Sequence, residues 1–205
     1  RHLRGFAPIF RPDPKETRSR EQVGIDWISK GIVTEVKDKG PCSSCWAFTT
    51  AACAEACIAQ KFGAKRIKNV SAGHINDCCP VSFGCKGGYL GPSMNWSMSV
   101  RLATWDSYPY EKYGGDCKPV TEVALEPGSC EYFEIPAGEG NVVEALGHSV
   151  VAVTVHGYVL MDYKGGVISG KSCEYVSVDH AVLLVSDEAP YSSSETSYRI
   201  KNSWG

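Results

Sequence analysis

Apolar positions recur along this chain with two periods, and the change from one to the other divides it. Between Cys45 and Phe62 they fall at three-to-four spacing (Phe48, Ala52, Cys53, Ala56, Cys57), in an Ala-rich stretch free of Pro and Gly that Gly63 ends. That pattern predicts a helix over 45–62 with one broad buried face. A second helix is expected over Ser93–Ala103 and a short one over Val142–Gly147. Alternating or β-branched runs predict strands at Gly31–Val36, Ser149–Val155, Tyr158–Met161, Val167–Ser169, Asp179–Val185 and Ser197–Lys201. Residues 69–92, dense in Cys, Gly and Pro, read as loop, and Asp26-Trp27 opens the first core-like segment. Helices first and strands later imply an α+β fold with a cleft between two halves.

Composition removes several classes. At 43% hydrophobic and 21% charged residues the chain is ordinary globular protein, neither disordered nor collagenous. Its 205 residues suit one domain, with room for two halves. No apolar run approaches the roughly 18 residues of a membrane span. A net charge of −2 gives no global nucleic-acid signal. The charge is uneven: residues 1–20 hold six Lys or Arg against Asp13 and Glu16, so this arm is +4. Pro8, Pro12 and Pro14 keep it extended or irregular, and it reads as a solvated linker without a signal peptide. Ten cysteines point to an oxidising compartment or to a metal or redox site.

Position separates those options. Cys42-Ser-Ser-Cys45 has C-x2-C spacing, but a zinc or thioredoxin-like site needs a second matched pair or a βαβ context, and Cys78, Cys79 and Cys85 do not supply it. Three other segments converge instead: Gly40-Pro-Cys-Ser-Ser-Cys45-Trp46-Ala-Phe48, then Val178-Asp-His180-Ala-Val182, then Lys201-Asn202-Ser-Trp204-Gly205. With Gly84-Cys-Lys-Gly-Gly-Tyr89, Asp106-Ser-Tyr-Pro-Tyr110 and Glu55 on the central helix, they occur in one order. From about Gly24 to the last residue the chain resembles the papain-like cysteine peptidases.

The resemblance implies a two-lobed α+β fold, with a helical lobe over about 24–110, a β-rich lobe over about 111–205, the active site in the cleft and residues 1–23 as an arm or pro-segment remnant. It implies a thiol-dependent endopeptidase with Cys45, His180 and Asn202 as catalytic residues. A free thiol titrates near ~8.5. A helix N-terminus and an imidazolium would lower that value, and Asn202 would fix the imidazole under cover of Trp204. Gly87 and Gly88 would bind an extended polypeptide by strand addition. Tyr89, Leu90, Val153, Val178 and Ala181 would form an apolar pocket. Cys42 would pair with Cys85 and Cys78 with Cys117, while the partner of Cys173 would lie beyond Gly205, where the family continues with further strand. Cys53 and Cys57 read as small buried hydrophobes, and Cys79 and Cys130 stay unassigned, with mutual pairing open.

The active centre also departs from the family. The oxyanion hole would combine the Cys45 N–H with a Gln side chain, but that position is Lys39. Ser43 replaces a Gly, and Lys86 an Asn. An active enzyme and a catalytically weakened homologue serving as a binding or structural component both remain open. No cofactor, metal, nucleic-acid partner or membrane span is expected. A pro-segment or protein inhibitor is an expected partner, as is a larger assembly for an inactive homologue. The secretory route, lysosomal, vacuolar or extracellular, is the expected location. Of the sequons Asn69-Val-Ser71 and Asn95-Trp-Ser97, the first is favoured for glycosylation because it lies in a loop. Arg18-Ser-Arg20 is a candidate processing site. His2, His74, His148 and His156 are expected to be structural.

Overall fold

The computed structural model describes residues 24–168, 177–192 and 195–205, together with the backbone of residues 5–9. The chain runs through β1 (Gly5–Ile9), α1 (Cys45–Phe62), α2 (Ala72–Cys78), α3 (Leu90–Ser99), β2 (Leu102–Ala103), β3 (Val123–Leu125), β4 (Glu131–Ile135), α4 (Glu139–His148), β5 (Val151–Val155), α5 (Tyr158–Met161), β6 (His180–Ser192) and β7 (Glu195–Lys201). Five strands form an antiparallel sheet ordered β4-β1-β5-β6-β7, and β2 and β3 form a small second pair. This is the α+β order that the change of period implies.

The central helix α1 spans the predicted 45–62. Its burial is wider than one face: every residue from Trp46 to Ala59 is buried. The small side chains of Ala47, Ala51, Ala52, Ala54, Ala56 and Ala59 permit this, because they let α2, α3 and the sheet approach from several sides. Val150–Val153 and Ala181–Val185 supply the facing apolar surface. Trp27 closes the core, donating its indole N–H to the Leu146 carbonyl at 2.8 Å.

Several local expectations are corrected. Residues 31–36 form no strand: Ile32 is buried, but Thr34 bonds a side chain, the Glu55 carboxylate, instead of a neighbouring strand. Tyr158–Met161 is a single helical turn, with both end residues exposed. Val167 and Ile168 belong to no strand, and Ser169 lies outside the described residues. The second helix starts earlier and ends earlier than expected, because Pro92 is tolerated in a first turn and Leu102-Ala103 pair with β3. The loop region contains α2, whose N-cap Ser71 accepts from the His74 N–H at 2.9 Å. The arm contributes β1, seated between β4 and β5 with its register set by Gly5↔Ile135 and Gly5↔Val153.

Among the described residues three disulfides brace this framework: Cys42–Cys85, Cys78–Cys117 and Cys57–Cys130. The third corrects two readings at once. Cys57 is not a free hydrophobe, and Cys130 does not pair with Cys79, which is buried and free. Both Cys53 and Cys57 are buried on α1, but Cys57 reaches the residue before β4, with its Cα 6.3 Å from that of Cys130. Cys173 lies outside the described residues.

Candidate active site

Cys45 is the first residue of α1, and its thiol is free and partly exposed. Ser44 occupies the N-cap position without capping. Its hydroxyl lies 2.6 Å from the Tyr110 phenol oxygen, and Tyr110 donates its single proton to the Lys39 carbonyl at 2.9 Å. Ser44 is therefore the donor in the shorter pair. With Ser44 engaged elsewhere, the first-turn amides beside the thiol stay uncapped, and the helix macrodipole places partial positive charge there. Tyr110, from the Tyr-Pro-Tyr turn, thus holds the thiol's loop at two points.

Backbone contacts join that loop to the end of the chain. The Lys39 N–H donates to the Ser203 carbonyl at 2.9 Å, and Asp38 forms an isolated antiparallel bridge with Trp204. On the other side the Cys42–Cys85 bond and the Ser43 N–H, donating to the Cys85 carbonyl at 3.1 Å, anchor the loop to the Gly84–Lys86 turn. With Cys42 bonded to Cys85, Cys42 and Cys45 are not a paired ligand or redox couple.

His180 opens β6, and Asn202 follows the end of β7. The imidazole Nε2 and the Asn202 Oδ1 are 2.7 Å apart. Oδ1 also accepts the Ser203 N–H at 2.8 Å, which identifies it as the amide oxygen and makes Nε2 the donor. Nδ1 is then the basic nitrogen of the neutral ring. Trp204 lies against the pair, with ring centroids 4.7 Å apart and planes inclined by 31°. Gly157 backs the imidazole: a Cβ there would stand 2.9 Å from the His180 Cβ. The Gly157 N–H donates to Asp179 Oδ1 at 2.7 Å. Burial holds the His180 imidazole below its ordinary value; the Asn202 hydrogen bond opposes this and the Lys39 charge adds to it.

The Lys39 ammonium folds back on its own loop, donating to the Gly40 carbonyl at 3.2 Å and the Cys42 carbonyl at 2.9 Å. Ser43 and Lys86 are both exposed. Gly87 has φ +113°, and a Cβ on Gly88 would come within 2.6 Å of the Trp46 ring. Only glycine lets the backbone lie this close to the indole. Tyr89 and Val178 are exposed, and Tyr89 meets Phe83 edge-on at 6.4 Å. Leu90, Val153 and Ala181 are core residues instead: Val153 pairs with Val182 across the sheet and is 1% exposed.

Other side chains fall where sequence reading did not place them. In the favoured sequon, Asn69 is half-buried and accepts from the Lys37 ammonium at 3.1 Å, while Val70 and Ser71 are fully buried. Asn95 is exposed on α3. His74 is buried against Trp96 and Tyr108, as a structural histidine should be. Gly157, the proton bookkeeping at Tyr110, and the ion cluster of Lys37, Glu55 and Lys201 carry no local sequence signal, because each depends on a partner far away in the chain.

A family model described as papain family cysteine protease matches residues 22–205. The chain belongs to this family, and its fold is papain-like. Mexicain of Jacaratia mexicana is 35% identical over 184 residues, covering 88% of this chain and 81% of its own length. Mouse procathepsin L is 32% identical over 189 residues, and the match spans 88% of this chain but 56% of that protein. Among solved structures, digestive procathepsin L 3 of Tenebrio molitor aligns with a TM-score of 0.80 at 27% identity, covering 92% of this chain and 62% of that one. Bromelain from Ananas comosus, in complex with the E64 inhibitor, aligns with a TM-score of 0.73 at 29% identity, covering 90% and 84%.

Proposed function

We propose that this chain is a thiol-dependent endopeptidase with Cys45 as nucleophile, His180 as general acid and base, and Asn202 as the residue that orients the imidazole. The observation carrying this reading is the His180–Asn202 hydrogen bond under Trp204, which leaves Nδ1 as the ring's basic nitrogen. In the reaction, Nδ1 of His180 takes the Cys45 thiol proton as the sulfur adds to the carbonyl carbon of an extended polypeptide, and the carbonyl electron pair moves onto oxygen. The Cys45 N–H faces this oxyanion together with a charge from Lys39. As the C–N bond breaks, His180 protonates the amine, leaving a thioester. His180 then takes a proton from water as its oxygen adds to the thioester carbon; the C–S bond breaks, the sulfur recovers that proton from His180, and the acid product is released.

Gly87 and Gly88 offer backbone to the substrate, and the exposed Tyr89 and Val178 present apolar surface. A hydrophobic side chain two residues before the cleaved bond is expected. A peptide library preferring Arg or Glu there would remove this specificity. The three disulfides favour the secretory route, in a lysosome, a vacuole or outside the cell.

One observation favours a second reading, a catalytically weakened homologue acting as a binding component. The Lys39 ammonium bonds two carbonyls of its own loop, and it lacks the planar amide of the family's Gln. Labelling with an epoxide inactivator such as E64 separates the two. The peptidase reading expects one equivalent bound at Cys45 and none in Cys45→Ala. Folded protein that takes up no label at any pH leaves only the weakened homologue.

A further inference from the structure

Behind Asn202 lies a second polar site that the proposed chemistry does not use. Three ionisable side chains, one buried and two largely buried, meet there: Glu55 from α1, Lys37 from the preceding loop and Lys201 at the end of β7. Their side chains are only 2%, 12% and 10% exposed. Glu55 accepts from Thr34 Oγ1, from the Val70 N–H at 2.9 Å and from the Lys37 ammonium at 3.2 Å. The Lys201 ammonium is 3.9 Å from that carboxylate, beyond hydrogen-bonding distance, and donates instead to Thr34 Oγ1 at 2.8 Å. One carboxylate therefore faces two ammonium groups, and part of the donor capacity of Lys201 is unspent. Glu35 is exposed and farther out. A buried excess charge of this kind is costly unless something neutralises it.

The same side chains line a cavity. Its walls include Lys37, Glu55, Lys201 and Ser203, with Ala51, Ala72 and Leu183 as apolar lining. The Ser203 hydroxyl is buried and makes no hydrogen bond. An unpaired buried hydroxyl on a residue that lines the same cavity as two lysines leaves a donor without an acceptor. The space takes an occupant about the size of one water molecule. We infer that this cavity binds a halide-sized monovalent anion, held by the ammonium groups of Lys201 and Lys37 and by the Ser203 hydroxyl. Such an anion supplies the missing negative charge and the missing acceptor together. It also links α1, the loop before it and the segment carrying Asn202.

The site has a pH signature. Burial brings Lys201 down to about 8, Glu55, Glu35 and Cys53 oppose this, and Lys37 adds to it. Below that pH the cluster carries its full charge and the anion is bound. Above it Lys201 is neutral and the anion is released.

Thermal unfolding of the full chain tests the inference, in sodium chloride against sodium gluconate at equal ionic strength. At pH 6, chloride should raise the Tm in a saturable way, and the rise should vanish above pH 9. Ser203→Ala should weaken the apparent chloride affinity by about 10-fold, and Lys201→Met should abolish the effect. In crystals soaked in bromide, an anomalous peak should lie between Lys201 and Ser203. Equal Tm in the two salts, a chloride effect that both variants retain, or bromide bound only elsewhere would each overturn the site. None of these readouts depends on peptidase activity.

Discussion

Lys39 concentrates the chemistry of the proposed active site in one side chain. It places a positive charge where the family resemblance puts a neutral amide donor; that charge acts on His180 and, in the proposed mechanism, on the oxyanion. Removing an oxyanion donor typically costs ~10²–10³ in turnover. Lys39→Gln should therefore raise kcat by about 10-fold or more with little change in KM. The sign of the pH effect follows from the same charge. Lys39 helps lower the His180 pKa, so the neutral Gln should move the limb set by His180 to higher pH. A kcat–pH profile measures both effects; an unchanged turnover and an unmoved limb would remove Lys39 from the mechanism. Tyr110 acts one step away, as a positioning residue. Tyr110→Phe should release Ser44 to cap the first turn of α1, lowering kcat while costing only about 1 kcal/mol of stability. Urea unfolding beside the kinetics checks that pairing.

At the scale of elements, α1 connects the two kinds of structure. Its N-terminus presents Cys45, its middle packs on all sides, and its later turns are bonded to the start of β4 through Cys57–Cys130. A cross-link between residues far apart in sequence restricts the unfolded chain strongly. Cys57→Ala/Cys130→Ala should lower the unfolding free energy by about 2–4 kcal/mol. Urea titration without reductant measures the loss, and an unchanged midpoint would argue that the bond does not brace the fold. Behind His180, Gly157 leaves no room for a methyl group. Gly157→Ala should displace the imidazole and lower kcat without loss of the native circular dichroism spectrum.

For the whole molecule, the arm and the buried ion cluster matter most. β1 pairs with β4 on one side and β5 on the other, so it is an interior strand of the sheet. Without it, β4 loses its neighbour and two rows of backbone groups lose their partners. A chain starting at Gly24 should unfold at lower urea concentration than the full chain; equal midpoints would show β1 to be dispensable. The pH dependence of stability has its own test. The folded pKa of Lys201, about 8, lies below its ordinary value of 10.5. Between those values the unfolded chain binds more protons, so this group makes stability rise with pH there. In gluconate buffers the parent should gain roughly 3 kcal/mol relative to Lys201→Met across that window. Parallel curves would show that Lys201 is not strained by burial.

Local order and chemical kind were legible in the sequence alone. A three-to-four repeat of small apolar residues ended by Gly63 is enough to specify α1, since its helical hydrogen bonds join residues near in sequence. The Cys, His and Asn segments were recognisable because each keeps its residue types contiguous. Tertiary structure alone decided what depends on distant partners. It made β1 a strand by supplying two neighbours, and it kept residues 31–36 from becoming one by offering the Glu55 carboxylate instead of a strand edge. It chose Cys130 as the partner of Cys57, buried Val153 where a groove residue was expected, and brought Lys37 to Asn69. It also assembled Lys37, Glu55, Lys201 and Ser203 around one cavity. Charges and hydrogen-bond donors act through space, so the neighbours that set their energy are fixed only when the chain has folded.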